Sequence, residues 1–255
     1  MTDLSVIIPT FNAGARAHAT VAELHAKLSG TGHQVEIVLV DDGSRLNQRP
    51  DPALLPADAR IVQLDRNRGK GYAVRAGLLA ATGQCRIFTD VDLPYGADAL
   101  LECFEILRAG GVDLVYGDRS LPESKRFSRL RKRRRLSSVV FRAAVLTIAG
   151  LRQADTQCGI KGLRADAATA ILPLMRTDGF AFDVEIFRCA RDSGLVVQPM
   201  SVHLVNADDS TVRLFRDSTS MLSDLVAIRM RSIRGKYRII KAPVEQASQL
   251  RSTVQ

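Results

Sequence analysis

Residues 35–44 read VEIVLVDDGS, a mostly apolar, β-branched run that stops at two aspartates, a glycine and a serine. A run without strict polar alternation suits a strand covered on both faces, and its polar end marks where the chain leaves a sheet. The pattern repeats outward. Residues 4–9 (LSVIIP) read as a first strand followed by Thr10, Phe11 and Asn12, and residues 60–64 as a third. Residues 86–89 read as a fourth that runs into Asp90-Val91-Asp92, and 113–116 as a fifth followed by Gly117, Asp118 and Arg119. Helical spacing separates them at 15–29, with Ala17, Val21, Leu24 and Leu28 on one side, at 71–81 and at about 97–108. Residues 45–59 are polar and proline-rich and predict loop or ragged helix. Strands alternating with helices predict an α/β fold, a single domain on a mostly parallel, Rossmann-like sheet flanked by helices. Ligands bind such sheets at the carboxyl ends of the strands. The polar clusters fall there, so residues 1–120 read as a nucleotide-binding half.

The chain has 255 residues, 46% hydrophobic and 25% charged, which excludes wholesale disorder. No apolar run approaches the roughly 18–20 residues of a membrane-spanning helix. The first residues lack a basic region, so no signal peptide is expected. Cys85, Cys103, Cys158 and Cys189 show no CxxC spacing, which disfavours zinc and a disulfide framework and points to a reducing cytoplasm. The net charge of +9 is unevenly placed: between Glu123 and Asp155 stand ten basic residues and no acid. A second acid-free stretch runs over 229–241. Such runs meet polyanions, whether nucleic acid, an anionic bilayer face or phosphorylated substrates. Residues 136–151 (LSSVVFRAAVLTIAGL) follow the basic run and read as an amphipathic interfacial helix, or as a core-facing helix with a solvated preface. Aromatics near the run are only Phe127 and Phe141, which makes a nucleic-acid binder the weaker class.

Asp90 and Asp92 put two carboxylates at one strand end, hard oxygen ligands suited to Mg²⁺ or Mn²⁺ beside substrate phosphates, although Asp-x-Asp also fits a plain turn. Asn67-Arg68-Gly69-Lys70-Gly71 opens a helix with two glycines and a cation, which suits a phosphate or a turn with a solvated lysine. Walker spacing is missing, and no GxGxxG follows the first strand. A P-loop triphosphatase and a dinucleotide oxidoreductase both lose ground.

Eight stretches, in order, resemble family-2 glycosyltransferases of the GT-A fold. They are SVIIPTFN (5–12), VLVDDGS (38–44), NRGKGYAVRAGL (67–78), FTDVDLP (88–94), YGDRS (116–120), DTQCGIKGLR (155–164), GFAFDVEIF (179–187) and STVRLFRDSTSMLSDLVAIR (210–229). The last three look like the branch holding dolichyl-phosphate β-glucosyltransferase and bacterial polyprenyl-phosphate glycosyltransferases. The resemblance implies an inverting, metal-dependent transfer of a hexose from a nucleotide sugar to polyprenyl phosphate. UDP-glucose is the first donor and GDP-mannose the runner-up. Residues 1–120 would bind the nucleotide sugar and 121–235 the acceptor, with a basic, amphipathic segment at 125–151 and a flexible tail over 236–255.

By the same resemblance Pro9, Thr10, Asn12, Asp41 and Asp42 would line the base and ribose pocket, and Lys70 and Gly71 the nucleotide-sugar cleft. Asp90 and Asp92 would hold Mg²⁺ or Mn²⁺ against the diphosphate. Arg119, with Arg134 and Ser138, would take the acceptor phosphate. Gln157, Lys161, Asp183 and Glu185 would flank the sugar or acceptor or support the site, and Asp92, Asp155 and Asp183 are the catalytic candidates. Leu93-Pro94 follows the aspartate pair where Leu-Ser or Leu-Gln is usual, and Ile160 stands in place of a usual phenylalanine. A peripheral enzyme on the inner, cytoplasmic face of an anionic membrane is expected, with a homodimer or a membrane partner left open. The alternatives are a soluble acceptor or, in another class, a basic nucleic-acid-binding protein.

The two acceptor chemistries differ. A phosphate monoester, with a second pKa of about 6, is already an oxyanion at neutral pH and needs cations more than a base. A hydroxyl acceptor needs a carboxylate base within hydrogen-bond reach, for which Asp155 or Asp183 would serve. Asp155 equally suits a cap on the TQCG turn.

Overall fold

The computed structural model describes residues 1–124, 143–151, 155–206 and 218–239. The first half runs β1 (Leu4–Thr10), α1 (Gly14–Leu28), β2 (Val35–Asp41), two short 3-10 turns, β3 (Ala59–Gln63), α2 (Lys70–Ala80), β4 (Cys85–Thr89), α3 (Gly96–Arg108) and β5 (Leu114–Gly117). The second half adds a π-type turn at Val145–Ala149, β6 (Ile160–Arg164), α4 (Ala165–Ile171), α5 (Phe182–Asp192), β7 (Val197–Met200) and α6 (Ser218–Ile233).

The strands form one seven-stranded sheet in the order β3-β2-β1-β4-β6-β5-β7. All pairings are parallel except those of β6, which runs against both β4 and β5. The chain leaves the carboxyl edge after Gly117 and re-enters the sheet from that same edge at Ile160, so β6 must run backwards. Thr89 pairs with Ile160 as a result, which sets Gln157, Cys158 and Gly159 beside the Asp90–Asp92 loop. Thr10 pairs with Asp41, and Asp41 with Gln63, so the first three strand ends also lie level.

The strands are buried on both faces, which is why their sequences lack alternation. Leu4, Val6, Ile8, Ile37, Leu39, Ile87 and Val115 share one face with α1 and α3. Ile7, Val38, Val40, Phe88, Leu114 and Tyr116 turn to the other, against α2, α4, α5 and α6. The four cysteines are all buried and free.

Two expectations change. Of the apolar segment 136–151, residues up to 142 lie outside the described part, but its end buries Val145, Ala149 and Leu151 in the core and exposes Leu146. Arg188 and Arg191 donate to the Ala149 and Gly150 carbonyls (3.1 and 2.6 Å), so this end faces the core. The tail expected from 236 also starts too early. Tyr237 is fully buried and its hydroxyl donates to Glu185 (2.5 Å), so packed chain continues past 236. Among the described residues no helix is long and apolar enough to cross a membrane.

Candidate active site

The strand ends are laced together by side chains bonded to backbone. Asn12, at φ +52°, accepts from the Arg45 N–H through Oδ1 (3.0 Å), while its own N–H donates to the Ser44 hydroxyl (2.7 Å). Asp41 accepts from the Ser44 N–H and hydroxyl and from Gln63 Nε2 (2.5 Å). Asp42 accepts from the Arg68 and Gly69 N–H groups (2.7 and 2.9 Å), which ties the loop after β3 onto the loop after β2. Burial pushes the Asp42 carboxyl above its ordinary range, with the two N–H groups pulling the other way. Pro9 is half-buried in β1, and the buried Thr10 hydroxyl has no partner among the described residues. A buried hydroxyl without a partner costs free energy unless something else satisfies it.

Lys70 is the first residue of α2, and the N–H groups of Gly71 and Tyr72 donate to the Asp178 carbonyl (2.8 and 3.2 Å). A Cβ at Gly71 would strike Phe182 and the Gly179 and Thr177 carbonyls, so only glycine lets this helix start against that loop. Lys70 Nζ donates to Asp90 Oδ1 (2.5 Å). Burial works against the Lys70 ammonium, but Asp90, Asp183 and Asp92 outweigh it and hold its pKa above the ordinary value. Asp92 is pushed up by burial and then by the Asp90 charge. Among the described residues Lys70 bonds to Asp90 and not to Asp92, and neither it nor Arg16 offsets the burial and crowding that raise Asp92.

That donor set, two crowded carboxylates at the ligand edge, fits Mg²⁺ or Mn²⁺ bound through one or two carboxylates plus phosphate oxygens. A Cβ at Gly159 would land on the Asp90 carboxylate, so β6 can approach this loop only with glycine there. Among the described residues no group of three or more His, Cys, Asp or Glu gathers to form an all-protein cage.

Across the cleft the carboxylates are neutralised instead. Asp155 takes a fork from Arg119, Nε at 2.6 Å and Nη2 at 2.7 Å, plus the Arg119 N–H at 3.0 Å. Burial alone would raise Asp155, but Arg119 overrides it and holds the carboxyl below its usual range. The Arg119 side chain stays 40% exposed. Lys161, fully buried, donates to Asp183 Oδ1 (2.5 Å) and to the Cys158 carbonyl (2.8 Å). Burial raises the Asp183 carboxyl against the pull of Lys161 and Lys70. Gln157 Nε2 points to the Phe180 carbonyl at 3.5 Å.

Glu185 does not face the cleft. Its Oε2 accepts from the Arg176 and Thr177 N–H groups (2.9 and 2.7 Å), and its Oε1 from Arg231 and Tyr237 (2.9 and 2.5 Å). With no exposure left, it braces the loop that receives Gly71 and is withdrawn from the acceptor-contacting set. Arg134 and Ser138 lie outside the described residues.

Sequence reasoning missed two braces of the Asp90–Asp92 loop. Thr20 on α1 donates to the Val91 carbonyl (2.5 Å), and Asn206 Nδ2 donates to the Asp92 and Leu93 carbonyls (3.3 and 3.1 Å). Leu93 sits at φ +42°, a strained conformation for a branched residue. Nothing local marks Thr20 or Asn206, since both act across distant segments.

The profile of Glycosyl transferase family 2 matches residues 5–171. The chain is 30% identical to the dolichyl-phosphate beta-glucosyltransferase of Saccharomyces cerevisiae, over 92% of this chain and 76% of that protein. Its identity to the Homo sapiens protein of the same name is 28%, over 92% and 78%. Among solved structures it is similar to glucosyl-3-phosphoglycerate synthase from Mycobacterium tuberculosis in complex with Mn²⁺, UDP and phosphoglyceric acid. The TM-score is 0.66 at 17% identity, covering 91% of this chain and 78% of that one, a likeness of fold.

Proposed function

The chain belongs to glycosyl transferase family 2 and is a glycosyltransferase of the GT-A fold, and from that premise we propose that it transfers glucose from UDP-glucose to polyprenyl phosphate. The observation that carries the acceptor half is the Arg119–Asp155 fork. A carboxylate held below its usual range by a guanidinium is a poor proton acceptor, and Asp183, although burial raises it, is bonded to Lys161 and only 7% exposed, too enclosed to meet a hydroxyl. Neither suits activation of a hydroxyl. A phosphate monoester brings its own oxyanion and asks for a fixed cation, which Arg119 supplies, oriented by Asp155. The relatives named for dolichyl phosphate support the same acceptor class.

In this reading a phosphate oxygen of the acceptor attacks the anomeric carbon on the side opposite the diphosphate. The new C–O bond forms as the bond to UDP breaks, the electron pair leaves with UDP, and no proton moves. An α-linked donor then gives a β-linked product. Asp90 and Asp92 would hold Mg²⁺ or Mn²⁺, which when bound supplies Lewis-acid stabilisation of the departing diphosphate. Lys70 adds a cation beside that pair, and Thr10 and Asn12 would meet the nucleoside. The enzyme would work as a peripheral protein on the cytoplasmic face of a membrane.

A donor panel against polyprenyl phosphate tests this. UDP-glucose should be turned over best and GDP-mannose poorly, with a β anomeric signal in the product's NMR spectrum. Preference for a guanosine donor overturns the donor, and a retained α linkage overturns the single displacement. Faster transfer to a water-soluble hydroxyl acceptor overturns the acceptor.

A further inference from the structure

We propose that the outer face of α6 docks onto an anionic lipid bilayer. The inference deepens the polyprenyl-phosphate reading and rests on it for its purpose, though its evidence is a surface. Leu222, Val226, Met230 and Ile233 are 46%, 51%, 42% and 64% exposed. Spacings of four, four and three place them in one stripe along the helix. The opposite side of α6 buries Leu225 and Ile228 in the core, so the stripe is not needed to hold the helix in place. Exposed apolar residues are ordinary when scattered, but four large ones in line form a patch. The turn at Val145–Ala149, which packs against α6, exposes a further leucine, Leu146.

Charge selects the occupant. Arg229 lies within the stripe's face, and Arg234, Lys236 and Arg238 are exposed just past the end of the helix. Residues 229–239 contain no acid. A second copy of the chain would bring like charges together, and a nucleic acid would leave the aliphatic stripe unsatisfied. An apolar stripe with a cationic flank matches the headgroup and acyl boundary of a negatively charged leaflet. Docking there would also register the site. Arg231 on α6 bonds Glu185, which holds the N–H groups of Arg176 and Thr177, and the next residue, Asp178, receives the first N–H groups of α2. Asp224, on the same helix, reaches the neighbourhood of Gly179. The bilayer-facing helix is therefore tied by packing to the loop that positions Lys70.

Co-sedimentation of the full chain with phosphatidylcholine vesicles, with and without phosphatidylglycerol, tests the surface without any sugar donor. Wild type should sediment with the anionic vesicles, and V226E/M230E should lose about tenfold in partitioning, because carboxylates replace apolar groups at the boundary. R234Q/K236Q/R238Q should lose less, and added salt should remove the difference. Both variants should keep wild-type turnover of a short, water-soluble isoprenyl phosphate in vesicle-free solution, which shows that they fold. Equal sedimentation of V226E/M230E and wild type overturns the proposal, as does failure of wild type to bind. A wild-type dimer that V226E/M230E dissociates assigns the face to a second copy and also overturns it. Vesicle binding as expected, with no turnover of any isoprenyl phosphate, instead breaks the acceptor reading and leaves the surface standing.

Discussion

The two sides of the cleft treat their carboxylates oppositely. On the donor side Asp90 and Asp92 stand close at one strand end, and burial with the Asp90 charge raises the Asp92 carboxyl more than the Lys70 and Arg16 cations lower it. On the acceptor side Asp155 and Asp183 each meet a cation, Arg119 and Lys161. One side keeps negative charge for a metal ion, while the other cancels it and leaves no obvious base. An acceptor that arrives as an anion is the chemistry such a division suits.

The largest expected effect lies on the unbalanced side. Asp92→Asn should lower turnover by at least about a thousandfold, the scale of losing electrostatic stabilisation of a leaving group. Calorimetry should show Mg²⁺-dependent UDP affinity falling while the fold, by circular dichroism, is unchanged. Equal metal-dependent affinity would erase the contrast.

Next comes the buried pair. Lys161→Met strands the Asp183 charge and should cost about 3–5 kcal/mol in urea unfolding, whereas adding Asp183→Leu should recover much of it. If the double variant were as unstable as the single one, the pair would not be the cause. Asp155→Asn is more modest. It should raise the acceptor KM about tenfold through a misplaced Arg119 and cost about 2 kcal/mol of stability. Asp155 has a lowered folded pKa. Its contribution is therefore present above the ordinary carboxylate pKa and lost as pH falls through the lower folded value. The variant's stability should fall less steeply in acid than wild type's. A collapse of kcat with loss of an acidic limb in the pH profile would make Asp155 the base after all.

The smallest effect sharpens the metal side. Gly159→Ala should push on the Asp90 carboxylate and weaken Mg²⁺ binding about tenfold, with little change in melting temperature. In the metal-free protein, carboxyl NMR titration should place Asp92 above and Asp155 below the ordinary aspartate value, and Mg²⁺ should lower Asp92. The reverse order would contradict the charge division.

Local periodicity and strand-ending polar residues were enough to predict the first half, because a helix or a buried strand is written in neighbours a few positions apart. Thus β1 to β5, the glycine and lysine at the start of α2, and the Asp90–Asp92 pair were legible. The second half was not. The backward run of β6 follows from where the chain re-enters the sheet, and β7 is a short edge strand of four residues with a proline. The stripe on α6 lay inside a motif that sequence alone read only as a resemblance; which of its apolar residues face outward depends on what α5 and the Val145–Ala149 turn cover.

The sequence by itself determined the alternation of elements, the ligand edge and the excess of positive charge. Tertiary structure alone decided which charges cancel. Arg119 meets Asp155 across 36 residues, Lys161 meets Asp183 across 22, and Arg231 meets Glu185 across 46. A carboxylate's proton affinity and reach depend on what is packed against it, and that is set by long-range contacts that no local pattern encodes.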